Sequence, residues 1–234
     1  MNLALLVVLA IVVVGTIAVI SYLMDKKRRE RLMQYAVMRG WTYAAEDNSL
    51  VGRWQGEPFG RGDHQRAQNV LTGSESGRRF TAFDYSYQTH STDSKGNRST
   101  TTHHWTVCAV PMPAWLGVVQ VVPESVFERM AGAVGLMQDI DLESEDFNRR
   151  YRVTAGNPKL ASDLLPPRTM EHLLTVDVGG WRTCGGDMVG FREGRLDPLE
   201  LIKTAAVLGR VLDGVPAFVW KDAGAPGTEY SPGP

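Results

Sequence analysis

The amino-acid sequence predicts an α+β protein in which an N-terminal transmembrane helix precedes a mainly antiparallel sheet domain packed with several helices. Three observations predict it: an unbroken apolar run at the N-terminus, period-two alternation over residues 41–122, and helical patterns that are concentrated later in the chain. Consecutive strands followed by helices favour an antiparallel α+β arrangement over parallel βαβ units. The 234 residues suffice for one domain of about 150–200 residues plus a short extra element.

The N-terminal apolar run predicts the membrane span. Residues 3–23 contain no side chain that is charged at neutral pH, and Thr16 and Ser21 are the polar residues among them. As a helix the run would be roughly 30 Å long, which is the thickness of a bilayer core. A cleaved signal peptide is disfavoured because no basic residue precedes the run and no small-x-small site ends it. We assign residues 1–24 to a transmembrane helix, with a buried core helix as the alternative.

A cluster of cations follows the apolar run and predicts its orientation. Its members are Lys26, Lys27, Arg28, Arg29 and Arg31. Cations beside a membrane helix are retained in the cytoplasm, so we expect a cell-membrane protein with its N-terminus outside and its domain in the cytoplasm. The cluster either serves topology alone, with side chains that extend to the headgroups, or also binds anionic lipid. Residues 25–40 are predicted to form a basic juxtamembrane helix that ends at Gly40.

The remaining charge argues against nucleic acid as a partner. Once residues 25–31, with five cations and two anions, are set aside, 20 basic and 24 acidic residues remain. Nucleic-acid binding usually needs a dense basic surface. The predicted partners are therefore the lipid bilayer and a membrane-associated protein. Cys108 and Cys184 are predicted to be free thiols in a reducing cytoplasm, although the opposite orientation would permit a bridge between them.

Residues 41–220 are predicted to form the cytoplasmic domain. The segment "RFTAFDYSYQT" alternates like a half-buried strand, and "HHWTVCAV" is its predicted partner. A type II′ turn centred on Gly96 and Asn97 would place Tyr87 opposite Thr106. Glycines at the centre of "WRTCGGDMVGF" predict a second hairpin.

Capping residues predict the helices in the second half of the chain. Asn157 precedes Pro158 at the start of one helix, which the Pro166-Pro167 pair interrupts before a second helix begins. Asp197 caps a longer helix that ends at Gly214. The Pro/Gly-rich residues 221–234 are predicted to be a disordered tail.

Two histidines are weak candidates for a metal site. The predicted hairpin register places His90 opposite His103, with Asp93 nearby, and two imidazoles with a carboxylate are ligands for a divalent cation. The surrounding loop is rich in Ser, Thr and Gly, which favours solvated histidines instead. We therefore assign no metal site and no cofactor.

An acidic run is the second candidate for chemistry. "DIDLESED" places Asp139, Asp141, Glu143 and Glu145 on one side of an extended segment, as at the start of a calcium loop. Ser144 stands where that loop needs Gly, and Arg150 stands where it needs Glu. A solvated charged surface is favoured over a paired-carboxylate hydrolase. The common hydrolase, nucleotide-binding and zinc-protease motifs do not occur, so no catalytic residue is assigned.

Several blocks of the sequence resemble a family of uncharacterised bacterial single-pass membrane proteins with a domain of unknown function. The blocks are "RGW", "GEPFGRG", "NVLTG" followed by "FTAFDYSY", and "LESEDFNRRYRV", and the resemblance spans roughly residues 30–220. It implies a membrane tether and supplies no site residue.

Two classes of function remain from the sequence. The favoured one is a membrane-anchored binding or scaffold module at the cytoplasmic face, of which a lipid-binding module similar to pleckstrin-homology domains would be one form. The alternative is a membrane-anchored enzyme of unrecognised class that uses the acidic run or the histidines. A single deep pocket that collects these residues would favour the enzyme.

Overall fold

A computed structural model describes residues 3–130 and 138–225. Nine strands of these residues form one sheet: β1 (Thr42–Glu46), β2 (Asp63–Glu75), β3 (Arg78–Thr92), β4 (Arg98–Pro111), β5 (Val119–Pro123), β6 (Gln138–Asp139), β7 (Tyr151–Ala155), β8 (Gly180–Cys184) and β9 (Asp187–Glu193). Their order is β1-β2-β3-β4-β9-β8-β5-β7-β6, and the neighbours are antiparallel. The antiparallel sheet agrees with the sequence-based expectation.

Seven helices are described beside the sheet: α1 (Leu3–Arg39), α2 (Glu124–Met130), α3 (Glu145–Arg150), α4 (Pro158–Leu164), α5 (Pro167–Thr175), α6 (Pro198–Gly214) and α7 (Ala217–Asp222). Helix α6 begins as predicted, because the Asp197 carboxylate accepts hydrogen bonds from the backbone N–H groups of Leu199 (2.9 Å) and Glu200 (3.2 Å). Most of the predicted tail, from residue 226 onward, lies outside the described residues, as does the predicted continuation of α2 beyond Met130.

Both faces of the sheet are buried. On one face the second half of α1 and helices α4–α7 pack over a core that includes Phe80, Trp181 and Leu208. On the other face the segment 47–62 lies against the sheet, and its Trp54 ring stacks on Phe83 at a centroid distance of 5.7 Å. Burial of each such side chain contributes about 1.5–3 kcal/mol relative to exposure. The strands with two buried faces form the centre of the domain.

Helix α1 has a packed half and an exposed half. Leu32 and Ala36, four residues apart, are each 1% exposed and lie on the face that contacts the sheet. Gly40 ends the helix with φ +68°, as predicted. Toward the N-terminus, the described apolar side chains are about half exposed or more, for example Val14 at 67% and Met24 at 67%.

The predicted transmembrane helix over residues 1–24 requires correction. Among the described residues, no helix combines the length and the apolar character that crossing a bilayer demands. The apolar residues are the first part of a 37-residue helix that continues through the cationic cluster. The single-pass description based on this span is wrong by the same finding, whereas the cell-membrane location stays a prediction.

The predicted register of the β3–β4 hairpin is also wrong, by three residues. Tyr87 pairs with His103 instead of Thr106, and residues 93–97 form the turn. Asp93 explains the difference, because its carboxylate accepts hydrogen bonds from the backbone N–H groups of Lys95 and Asn97, each at 2.8 Å. This side-chain capping stabilises a longer turn than the two-residue turn that Gly96 and Asn97 suggested.

The two cysteines are free, as predicted, and differ in environment. Cys108 is buried in β4, and burial raises the pKa of its thiol to about 12. Cys184 is half-buried at the end of β8. A protonated, inaccessible thiol does not react with disulfide reagents.

We therefore expect Ellman's reagent at pH 8 to modify Cys184 rapidly in the native protein and Cys108 only after denaturation. The number of thiols released before and after addition of guanidinium measures this. The Cys184→Ser variant should release none in the native state, whereas Cys108→Ser should match the wild type. Equal reaction rates of the two native thiols would contradict the buried position of Cys108.

Candidate functional site

A buried carboxylate, Asp84, connects α1 to the rest of the domain. Arg28 donates two hydrogen bonds to it, from Nη1 to Oδ2 at 2.8 Å and from Nη2 to Oδ1 at 2.9 Å. The Asn69 side-chain amide donates to Oδ2 at 2.7 Å, and the Leu196 backbone N–H donates to Oδ1 at 2.6 Å. Such a bidentate, charge-assisted arrangement fixes orientation as well as distance. Both carboxylate oxygens of Asp84 are therefore satisfied within the protein.

Local backbone geometry positions the partners of Asp84. Asn69 has φ 52° and lies at an irregularity of the β2–β3 register between Gln68 and Leu71. Such a bulge interrupts the alternation of side chains between the two faces of the sheet and so changes the direction of the Asn69 side chain. The Tyr43 hydroxyl of β1 donates to the Asn69 Oδ1 at 2.9 Å and holds the amide in place. Asp84 thus links α1, β2, β3 and the residue before the cap of α6.

A small polar cavity of about 100 Å³ lies beside this cluster. Arg29, Arg195, His104 and Asp25 are among its lining residues, and the Arg195 guanidinium donates to the Asp25 carboxylate. Burial lowers the pKa of His104, and the positive charge of Arg195 lowers it further. The cavity is therefore lined mainly by groups that already interact with one another.

The structure divides the five predicted membrane-surface cations into two groups. The Arg28 side chain is 24% exposed and belongs to the Asp84 cluster. The other four are exposed on α1: Lys26, Lys27, Arg29 and Arg31. Arg28 therefore has an internal structural contact, and four cations lie at the surface next to the apolar half of α1.

The weak metal candidates His90 and His103 do not face each other. His90 pairs with Thr100, and its Nδ1 lies 2.9 Å from the Thr100 hydroxyl. His103 pairs with Tyr87, and their rings stack at 4.8 Å. The corrected register places the two histidines on opposite faces of the hairpin. Within the described residues, no group of three or more metal-ligating side chains comes together.

The acidic run does not join the histidines in one pocket. Asp139 lies on β6 and pairs with Arg152, while Asp141 and Glu143 are exposed in the following segment. Four strands separate β6 from the hairpin strand β4 in the sheet. The two sets of residues named by the enzyme hypothesis are therefore in different parts of the domain.

A groove of about 910 Å³ lies between α6, the end of α5, β9 and the β2–β3 turn. This volume is in the range of small-molecule sites. Its apolar lining consists of Val176, Val178, Ala206 and Val207. Charged residues surround this lining, and they include Arg78, Arg192, Lys203, Arg210, Asp177, Glu200 and Asp213. The groove combines an apolar surface with a charged rim.

Sequence reasoning missed both the Asp84 cluster and the groove. A signal for the first exists, because Asp84 is the acidic residue inside "RFTAFDYSY" and Arg28 precedes Leu32 and Ala36 at intervals of four along α1. No comparable signal marks the groove, since its lining comes from segments that are joined only by the fold.

The fold resembles a known structure, although the sequence identifies no family. The chain matches no family model and no curated protein. Its fold is similar to that in the crystal structure of the mycobacterial trehalose monomycolate transport factor A, TtfA, with a TM-score of 0.59. The two chains are 15% identical, and the similarity covers 80% of this chain and 96% of TtfA. At this identity the comparison shows a shared fold.

We expect Asp84→Asn to lower the free energy of unfolding by about 1–3 kcal/mol, because it removes a charge-assisted contact and leaves Arg28 without a counterion. Urea denaturation followed by circular dichroism measures the change. Asp146→Asn is the matched control, since the Asp146 side chain is 75% exposed in its pair with Arg149 and should change stability by less than about 0.5 kcal/mol. Equal effects of the two substitutions would contradict a structural role of Asp84.

Proposed function

We propose that this protein is a non-catalytic binding module that acts at a lipid membrane surface, as a binding or scaffold component of lipid transport. Attachment would occur through the exposed half of α1 and its four exposed cations, and the sheet domain would be held next to the bilayer. The proposed membrane surface is the cytoplasmic leaflet of the cell membrane, because the anionic lipids of this leaflet attract cations that lie next to an apolar segment. A membrane-associated protein is the expected partner at this surface.

The observation that carries the proposal is the chemistry of α1. From Ile11 to Met24 the described apolar side chains are exposed, and such an extended apolar surface is typical of a protein or membrane interaction site. Lys26, Lys27, Arg29 and Arg31 follow this surface directly and are exposed as well. The apolar side chains would contact the acyl chains of an anionic membrane, and the cations next to them would contact its headgroups.

The Asp84 cluster supports the same proposal. Arg28, in the middle of the cationic cluster, is hydrogen-bonded to Asp84 in β3. This contact couples the orientation of α1 to that of the sheet domain. A protein that only needed a flexible tether would not require such a contact.

The shared fold gives further support. The structure with the similar fold is that of a trehalose monomycolate transport factor. A related role for the present chain would be binding or scaffolding during lipid transport, and the absence of a recognised catalytic motif in the sequence fits this assignment.

Vesicle flotation of the full chain tests the proposal. We expect more protein to float with vesicles that contain phosphatidylglycerol than with phosphatidylcholine vesicles. A variant with glutamine at each of the four exposed cations should lose at least tenfold in affinity for the anionic vesicles, since each cation contributes about 1 kcal/mol near such a surface. The substituted residues are Lys26, Lys27, Arg29 and Arg31.

A matched control removes four exposed cations from other helices and so has the same net charge. Its substituted residues are Arg149, Lys159, Lys203 and Lys221. This variant should keep most of the wild-type affinity for anionic vesicles. Equal losses in the two variants, or equal flotation of the wild type with both kinds of vesicle, would contradict the proposal.

A further inference from the structure

The groove beside α6 has features of a ligand site that differ from those of the α1 surface. Val178 and Val207 in its lining are 2% and 5% exposed, so they belong to the core and form a firm apolar base. Val176 and Ala206 are half-buried and add to this apolar strip. A strip of this kind between a helix and a sheet suits an alkyl chain.

Most of the charges around the strip neutralise one another. Lys203 pairs with Glu200 at 2.7 Å, and Arg192 pairs with Asp177 at 3.2 Å. Arg78, the first residue of β3, pairs with Asp213 on α6. Gly209 allows this last contact, because a Cβ at this position would lie 3.2 Å from the Cδ of Arg78.

Two cations remain unneutralised at one end of the groove. Arg210 lines both the groove and an adjoining cavity of about 240 Å³, which Arg168 also lines. Both arginines are exposed, and neither forms an ion pair with a described residue. His172 also lines both cavities and offers a further hydrogen-bonding group between them. This end of the groove therefore has an excess of positive charge.

We propose that the groove binds a single-chain anionic amphiphile, with its alkyl chain along the apolar strip and its anionic head group at Arg210 and Arg168. Charge complementarity selects an anionic head group, because the other cations of the rim have carboxylate partners. This activity goes beyond attachment to a bilayer, since it concerns individual amphiphile molecules held by the sheet domain.

Fluorescence titration of the full chain with 11-(dansylamino)undecanoate, kept below its critical micelle concentration, tests this proposal. The dansyl emission of this anionic probe increases when it leaves water. We expect saturable binding to the wild type and about tenfold weaker binding to Arg210→Gln, which loses a charged hydrogen-bond donor. The methyl ester of the probe has no charge and should bind the wild type about tenfold more weakly than the acid.

Two further variants separate the groove from other apolar surfaces. Ala206→Trp fills the strip and should abolish saturable binding, whereas Lys221→Gln removes an exposed cation from α7 and should bind like the wild type. Arg210 is exposed, so Arg210→Gln should fold normally. If Ala206→Trp does not fold, the probe affinity of Arg210→Gln alone tests whether the groove binds the probe. Equal affinities of the wild type and Arg210→Gln, or of the acid and its ester, would overturn the proposal.

The experiment also separates this proposal from attachment to a lipid surface. The four-cation variant of α1 should bind the dansyl probe like the wild type, and Arg210→Gln should float with anionic vesicles like the wild type. If probe binding were lost together with flotation in the α1 variant, the site would belong to α1 and the groove proposal would be wrong.

Discussion

The carboxylate of Asp84 is the constraint on which the arrangement of the chain depends. A charged group in a largely buried position is stable only when it is paired and hydrogen-bonded. Here the partners come from α1, from a bulge in β2 and from the backbone just before α6. Satisfying one carboxylate therefore fixes the position of three segments that are far apart in the sequence. Hydrophobic burial supplies most of the stability, whereas this cluster determines which way α1 lies on the sheet.

Much of the fold can be predicted from the sequence because its signals are local. The Asp197 cap of α6, the left-handed Gly40 and the hairpin at Gly185 and Gly186 depend on neighbouring residues. The β3–β4 register was mispredicted because a side chain, Asp93, determines the turn. The assignment of the apolar N-terminus as a membrane span failed as well, because no helix among the described residues is both long enough and apolar enough to cross a bilayer.

The candidate sites are less accessible to sequence reasoning. Five adjacent cations read as one surface, but the helical repeat turns Arg28 toward the sheet and leaves the others outside. The groove depends on which helices pack beside β9, and no local pattern contains that information. For His90 and His103 the sequence predicts a pairing that the structure does not have, because a three-residue change of register places the two histidines on opposite faces of the hairpin.

The two proposed surfaces have complementary chemistry. The α1 surface is extended and suits a bilayer, whereas the groove is confined and suits a single molecule. A sheet domain held next to a bilayer would bring the groove close to a source of amphiphiles, and tethering of this kind raises the effective concentration of a ligand.

Amide hydrogen exchange along α1, resolved by residue, tests the central role of Asp84 most directly. Local opening free energies are read from such rates. We predict that residues 25–39 are protected in the wild type, and that Asp84→Asn accelerates their exchange about tenfold while residues 11–24 exchange at an unchanged rate. Unchanged exchange of residues 25–39 in Asp84→Asn would show that α1 is held on the sheet by other contacts.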